Sequence, residues 1–213
     1  MASADAPEPR WPACVALAAC VGLYLALPSR LVVGPKWIVP SLVALLIVPL
    51  LTGRHRHPNE PRGVRRLTFA LIAVVTAANV VSVGLLVHHL LHATVVQGRA
   101  LIYSAVAVWL TNVIVFGLWF WEVDRGGPHR RAGGVVGWPD FQFPQMENPQ
   151  LAPAGWRPGF VDYLYTSFAN GTSFAPADAM PLSPRAKGLF LAESIVSLVT
   201  IAVVAARAVN ILR

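Results

Sequence analysis

The sequence predicts an all-α, polytopic membrane protein of about five spans, with a short re-entrant, pore-like helix and loop before the last span. Three observations carry this prediction. First, only 13% of the 213 residues are charged, where an average soluble domain carries about 25%. Second, 55% of the residues are hydrophobic and the mean hydropathy is +0.57, so a soluble fold of this size would expose large apolar patches. Third, the apolar residues are gathered into long uncharged runs rather than dispersed. An ordinary water-soluble enzyme, a disordered tail and a secreted disulfide scaffold are excluded on these grounds.

Residues 1–11 form an N-terminal tail, and 12–213 read as a single membrane domain. The run over 12–27 has the length of a secretory leader, but Asp5, Glu8 and a single Arg10 precede it. Without a positive flank it reads as a retained first span. The second run covers 37–51, and Pro40 and Pro49 are expected to kink or end it. Both runs are shorter than the roughly 20 residues of a full crossing, so they are either short crossings or a tucked hairpin. The runs over 67–91 and 100–121 are uncharged, and the fifth, 188–212, is interrupted by Glu193 and Arg207.

Charge orients the chain. The balance is basic, 17 Lys and Arg against 10 Asp and Glu. In a membrane protein this reads as positive loops held at the cytoplasmic face rather than as a nucleic-acid surface. Arg54, Arg56, Arg62, Arg65 and Arg66 fall in the short loop 52–66 with one acid, Glu60, which is expected to lie in the cytoplasm of a multi-pass cell-membrane protein. Five spans then place 122–187 on the same side.

Residues 122–187 hold nine of the 18 prolines, and 122–159 is expected to be irregular loop. Trp138, Phe141, Phe143 and Trp156 argue for a folded loop on the membrane interface, where Trp is favoured. A short amphipathic helix is expected over 160–170, closed by Gly171, followed by irregular chain to Pro184. Two arrangements suit that order: a re-entrant element lining an aqueous cavity, or an interfacial helix lying flat.

The stretch from Tyr165 to Val209, YTSFANGTSFAPADAMPLSPRAKGLFLAESIVSLVTIAVVAARAV, resembles the pore module of two-span potassium channels. Laid on that pattern, Ser167 falls on the pore-helix Ser, Thr172 and Ser173 on the paired threonines, and Asp178 on the acid after the filter. Pro181 falls on the Pro beyond, with Glu193 and Arg207 on the inner-helix Glu and Arg. The resemblance implies a homo-oligomer, a tetramer if channel-like, with a monovalent cation as partner. The pore residues it implies are Asn170, Thr172, Ser173, Ala175, Asp178 and Glu193. Ala175 and Ala177 stand at the two filter glycines and Pro176 at the filter Tyr. Left-handed backbone at a non-glycine costs roughly 1–2 kcal/mol, and Pro176 pushes Ala175 toward extended geometry. A degenerate pore with weak or no cation selectivity is therefore expected, the alternative being a non-conducting membrane protein, structural or part of an assembly, that keeps the pore-module fold. Across most of its length the chain is also similar to a family of small bacterial multi-span membrane proteins. The shared features are Trp121 to Pro128, Phe143-Pro144-Gln145 and the tract from Asp162 to Pro181.

The remaining candidates are simpler. Cys14 and Cys20 lie six residues, about 9 Å, apart on one helix, too far for a disulfide. His88 and His92 share a helix face at a metal-binding spacing, but no third ligand is indicated. Asn79, Ser82, Thr111 and Asn112 are expected to form hydrogen bonds between helices, and Glu122, Asp124 and Arg125 a loop-pinning charged corner. No catalytic pair, cofactor motif, metal site or nucleic-acid module is expected.

Overall fold

The computed structural model describes residues 11–32, 34–52, 62–92, 98–132, 137–173 and 179–211. The tail 1–10, most of the arginine-rich loop and residues 174–178 lie outside them. The chain is mostly helical. Its helices are α1 (Trp11–Ala26), α2 (Ile38–Thr52), α3 (Arg62–His92), α4 (Gly98–Val123), α5 (Pro128–Ala132), α6 (Pro144–Glu147), α7 (Phe160–Ser173) and α8 (Pro184–Ile211). One antiparallel pair, β1 (Phe141–Gln142) with β2 (Met180–Pro181), sets Phe141 opposite Pro181 and Gln142 opposite Met180.

Three helices are long and apolar enough to cross a membrane, over Arg65–His92, Ala100–Gly126 and Pro184–Ala206. Each contains one of the longest uncharged or nearly uncharged runs of the sequence, because an isolated helix satisfies its backbone internally and needs only apolar side chains to be stable in lipid. α1 and α2 follow the two short runs. α2 continues through both of its prolines. Pro40 sits in the first turn, where a missing N–H leaves no hydrogen bond unmade.

The chain divides into two compact units. The first comprises residues 1–16 and 116–194, the second 17–115 and 195–213. In the second unit, Tyr24, Leu27, Val32, Val83 and Val108 form one core cluster, and Leu31, Leu86, Leu101, Ala105 and Val203 another. The Lys36 ammonium closes the C-terminal end of α1 by donating to the carbonyls of Leu25, at 3.3 Å, and Leu27. Asn112 Nδ2 donates to Ser197 Oγ at 3.1 Å, joining α4 to α8. By contrast, Thr111 donates within its own helix, to Ala107 O.

The first unit holds the proline-rich stretch, which is more ordered than irregular chain. Pro128, Pro144 and Pro149 each open a short helical turn. At that position the ring's fixed φ is already helical, so these prolines start turns as well as end them. Phe141 and Phe143 are buried. Phe141 lies 5.1 Å from Phe120, 5.7 Å from Phe190 and 6.0 Å from Tyr163, centroid to centroid. The loop thus carries its own aromatic core, and only Trp138 stands fully clear of it.

Candidate functional site

α7 begins with half of a capping box. The Asp162 carboxylate, in the first turn, accepts the N–H of Gly159 at 2.8 Å. The helix is 14 residues long, three more than the sequence indicated. At about 21 Å it is too short to cross a bilayer. Tyr163, Thr166, Ser167 and Asn170 are buried, an i, i+3, i+4, i+7 stripe, while Val161, Tyr165, Phe168 and Thr172 are exposed. The amphipathicity runs opposite to that of a soluble surface helix: much of the buried face is polar and most of the outer face apolar. Such a face needs polar partners, because a buried polar group left unpaired is costly.

α8 supplies them. Ser167 Oγ donates to Glu193 Oε1. Asn170 Nδ2 donates to Glu193 Oε2 at 2.8 Å and to the Phe190 carbonyl at 3.1 Å, and Ser194 Oγ donates to Asn170 Oδ1 at 3.3 Å. Glu193 is fully buried, nine residues into the last long helix. On α4, Gly117 makes room for α7. A Cβ at Gly117 would stand 3.1 Å from Leu164 Cα, so the two backbones approach as only glycine allows.

A second buried acid closes the end of α4. Asp124 is inaccessible and accepts from Tyr163 Oη at 2.6 Å, from Asp140 N at 2.9 Å and from Phe141 N at 3.4 Å. The adjacent Arg125 has left-handed backbone, φ 50°, and its N–H donates to Asp140 Oδ2 at 3.0 Å. Gly126 and Gly127 continue the turn at φ 83° and 98°. Arg131 donates to the carbonyls of Trp121, at 2.7 Å, and Asp124, at 2.8 Å, and its guanidinium stands 5.1 Å over the Tyr163 ring. The corner expected from Glu122, Asp124 and Arg125 is thus the centre of a larger knot. Tyr163, Arg131 and Asp140 were not singled out because they lie 7 to 39 residues away from Asp124 along the chain.

Of the residues expected to line a path, Asn170 and Glu193 are brought together. Thr172 and Ser173 are exposed at the C-terminal end of α7, their hydroxyls donating to Phe168 O and Ala169 O of the same helix. Ala175 and Asp178 lie outside the described residues, as does the side chain of Arg207. Ser167 and Ser194 complete the Glu193 cluster. Their signal was the spacing of Ser167 and Asn170, one turn apart, facing a Glu-Ser pair on the next helix.

Elsewhere the chemistry is sparse. His88 and His92 stack at 4.4 Å between ring centroids, and His89 Nε2 donates to Arg30 O at 3.1 Å. Among the described residues no group of three or more His, Cys, Asp and Glu side chains is placed to hold a metal ion. Cys14 and Cys20 are free thiols. No family model matches the chain, and it matches neither a curated protein nor a solved structure.

Proposed function

We propose that the protein is a channel-like homo-oligomer in the cell membrane. In this reading it has about five spans, and α7 enters the bilayer as a re-entrant element whose C-terminal end borders a weakly selective path for monovalent cations. The observation that carries the reading is the attachment of α7. It is a helix too short to cross, with an apolar outer face, and buried polar bonds from Ser167 and Asn170 hold it to the long apolar helix α8. Thr172 and Ser173 are exposed at its last turn. The C-terminal end of a helix carries partial negative charge and favours a cation, and hydroxyl oxygens can replace part of a hydration shell. Asp178, a few residues on, would add a negative ring. The substitutions Ala175, Pro176 and Ala177 argue against a glycine-dependent carbonyl ladder, hence against strong potassium preference.

A second reading, a non-conducting membrane protein that keeps the pore-module fold, is favoured by one observation. Asn170 and Glu193, both expected on the path, are buried and bonded to each other. Reconstitution into liposomes with bi-ionic potentials separates the two. The first reading expects a cation current that Thr172→Val alters, with weak preference for potassium over sodium. Strong potassium selectivity would refute the backbone argument. An intact oligomer without current would favour the second reading, and a strict monomer in mild detergent would remove the channel altogether. Orientation is checked by an impermeant thiol reagent on Asn59→Cys in a chain lacking Cys14 and Cys20. The arginine-rich loop should be labelled only from the cytoplasmic side.

A further inference from the structure

We infer that the β1–β2 pair carries a ledge that binds anionic phospholipid headgroups: Trp138, Met180 and Leu182 insert at the boundary of the acyl chains, and Arg185 and Lys187 engage the lipid phosphates. Depth is the first argument. Phe141 packs against Phe120 of α4 and Phe190 of α8. Phe120 lies six residues before the end of its candidate span at Gly126, and Phe190 six residues after the start of the other at Pro184. Six residues of helix are about 9 Å. Two independent helix ends thus hold the pair about 9 Å inside the ends of the two candidate spans, near the depth at which the interfacial layer meets the hydrocarbon.

Exposure is the second argument. Trp138 is 96% exposed, Met180 58% and Leu182 41%. Met180 and Leu182 belong to one small platform, because Leu182 N donates to Asp140 O at 2.8 Å and so extends the pairing of Met180 with Gln142, and Trp138 precedes Asp140 by two residues. The aromatic side chains nearby, Phe141 and Phe143, are buried, so the exposed apolar groups are not the overflow of a loose loop. Charge is the third. Arg185 and Lys187 are exposed on the first turn of α8, immediately after the ledge, and Arg130 is exposed on α5. Glu147 is an exposed acid in the same unit, bonded to Gln142 Nε2 at 2.5 Å. An indole with aliphatic neighbours and flanking cations matches the headgroup layer of an anionic leaflet. The inference is independent of whether the protein conducts.

The test uses the full chain in nanodiscs of phosphatidylcholine and phosphatidylglycerol. The contribution of Trp138 is isolated as the fluorescence difference between the natural chain and Trp138→Phe. It should be quenched about twofold more by lipid brominated near the headgroup end of the chain than near the methyl end. Brominated phosphatidylglycerol should quench it more than brominated phosphatidylcholine at equal mole fraction, and Arg185→Gln with Lys187→Gln should abolish that excess. A Trp138 signal quenched by aqueous acrylamide and by neither brominated lipid would overturn the inference. So would a signal shielded from both, which would assign the ledge to a second copy of the chain. Equal quenching by the two headgroups would overturn the role of the cations.

Discussion

Asp124 and Glu193 are both fully buried acids in the same unit, and they are held in different ways. Asp124 sits at the end of a long helix and accepts two backbone N–H groups besides the Tyr163 hydroxyl, with the Arg125 Nε 3.8 Å away. Backbone donors cannot rotate away, so this carboxylate dictates the path of the chain from Asp124 to Phe141. Glu193 lies within an apolar span and accepts from the side chains of Ser167 and Asn170. Side-chain donors can reorient at the cost of a rotamer change. The contrast separates a pin from a candidate site: at a helix end main-chain donors fix the acid and with it the path of the chain, while Glu193, inside a long apolar helix, is held by the side chains of Ser167 and Asn170.

The largest expected effect is on the pin. Asp124→Ala strands a phenol and two backbone donors in a buried place, and should cost about 3–5 kcal/mol. It would be read as a large loss of folded protein in detergent and faster proteolysis between Ala132 and Gly159. Glu193→Gln keeps the volume of the side chain and an acceptor for Ser167, but opposes one amide to the Asn170 amide. It should cost only about 1–2 kcal/mol of stability and, on the channel reading, change ion flux in liposomes. If the two variants lose stability equally, the distinction between pin and site fails.

Variants expected to fall below Asp124→Ala sharpen the same comparison. Tyr163→Phe removes one bond to a buried carboxylate and should cost about 1.5–3 kcal/mol, measured as the midpoint of unfolding in mixed micelles. Gly117→Ala places a methyl group 3.1 Å from the Leu164 backbone. Overpacking of this kind costs about 1–3 kcal/mol, here expected near the lower end because the shift required is a few tenths of an ångström. It should disturb α7, and on the channel reading ion flux, more than global stability. Asn112→Ala, in the other unit, removes the bond to Ser197 between helices and should cost about 0.6 kcal/mol. A loss as large as that of Asp124→Ala would show that the polar groups of the long helices do more than join neighbours.

Different parts of the molecule were legible to different degrees. The three long helices were readable because lipid permits so few backbone solutions: a run of some 20 apolar residues has to be a helix. α7 was readable from its period and from Gly171, although it runs on two residues past that glycine, to Ser173. Pro128, Pro144 and Pro149 were read as breakers, when local geometry made them helix starts. The burial of Phe141 and Phe143 was not legible, since an aromatic residue in a loop looks the same whether it meets lipid or another ring.

The sequence by itself therefore determined the helical class, the apolar spans and the presence of an acid at membrane depth. These follow from composition and period, which act locally. Tertiary structure alone decided that Ser167 and Asn170, rather than Thr172 or Ser173, meet Glu193. It also decided that Asp124 closes on Tyr163, 39 residues later. The physical reason is that a polar side chain in a dry interior bonds to whichever partner packing brings within about 3 Å, and the pairing of two helices across a loop is not written in the period of either.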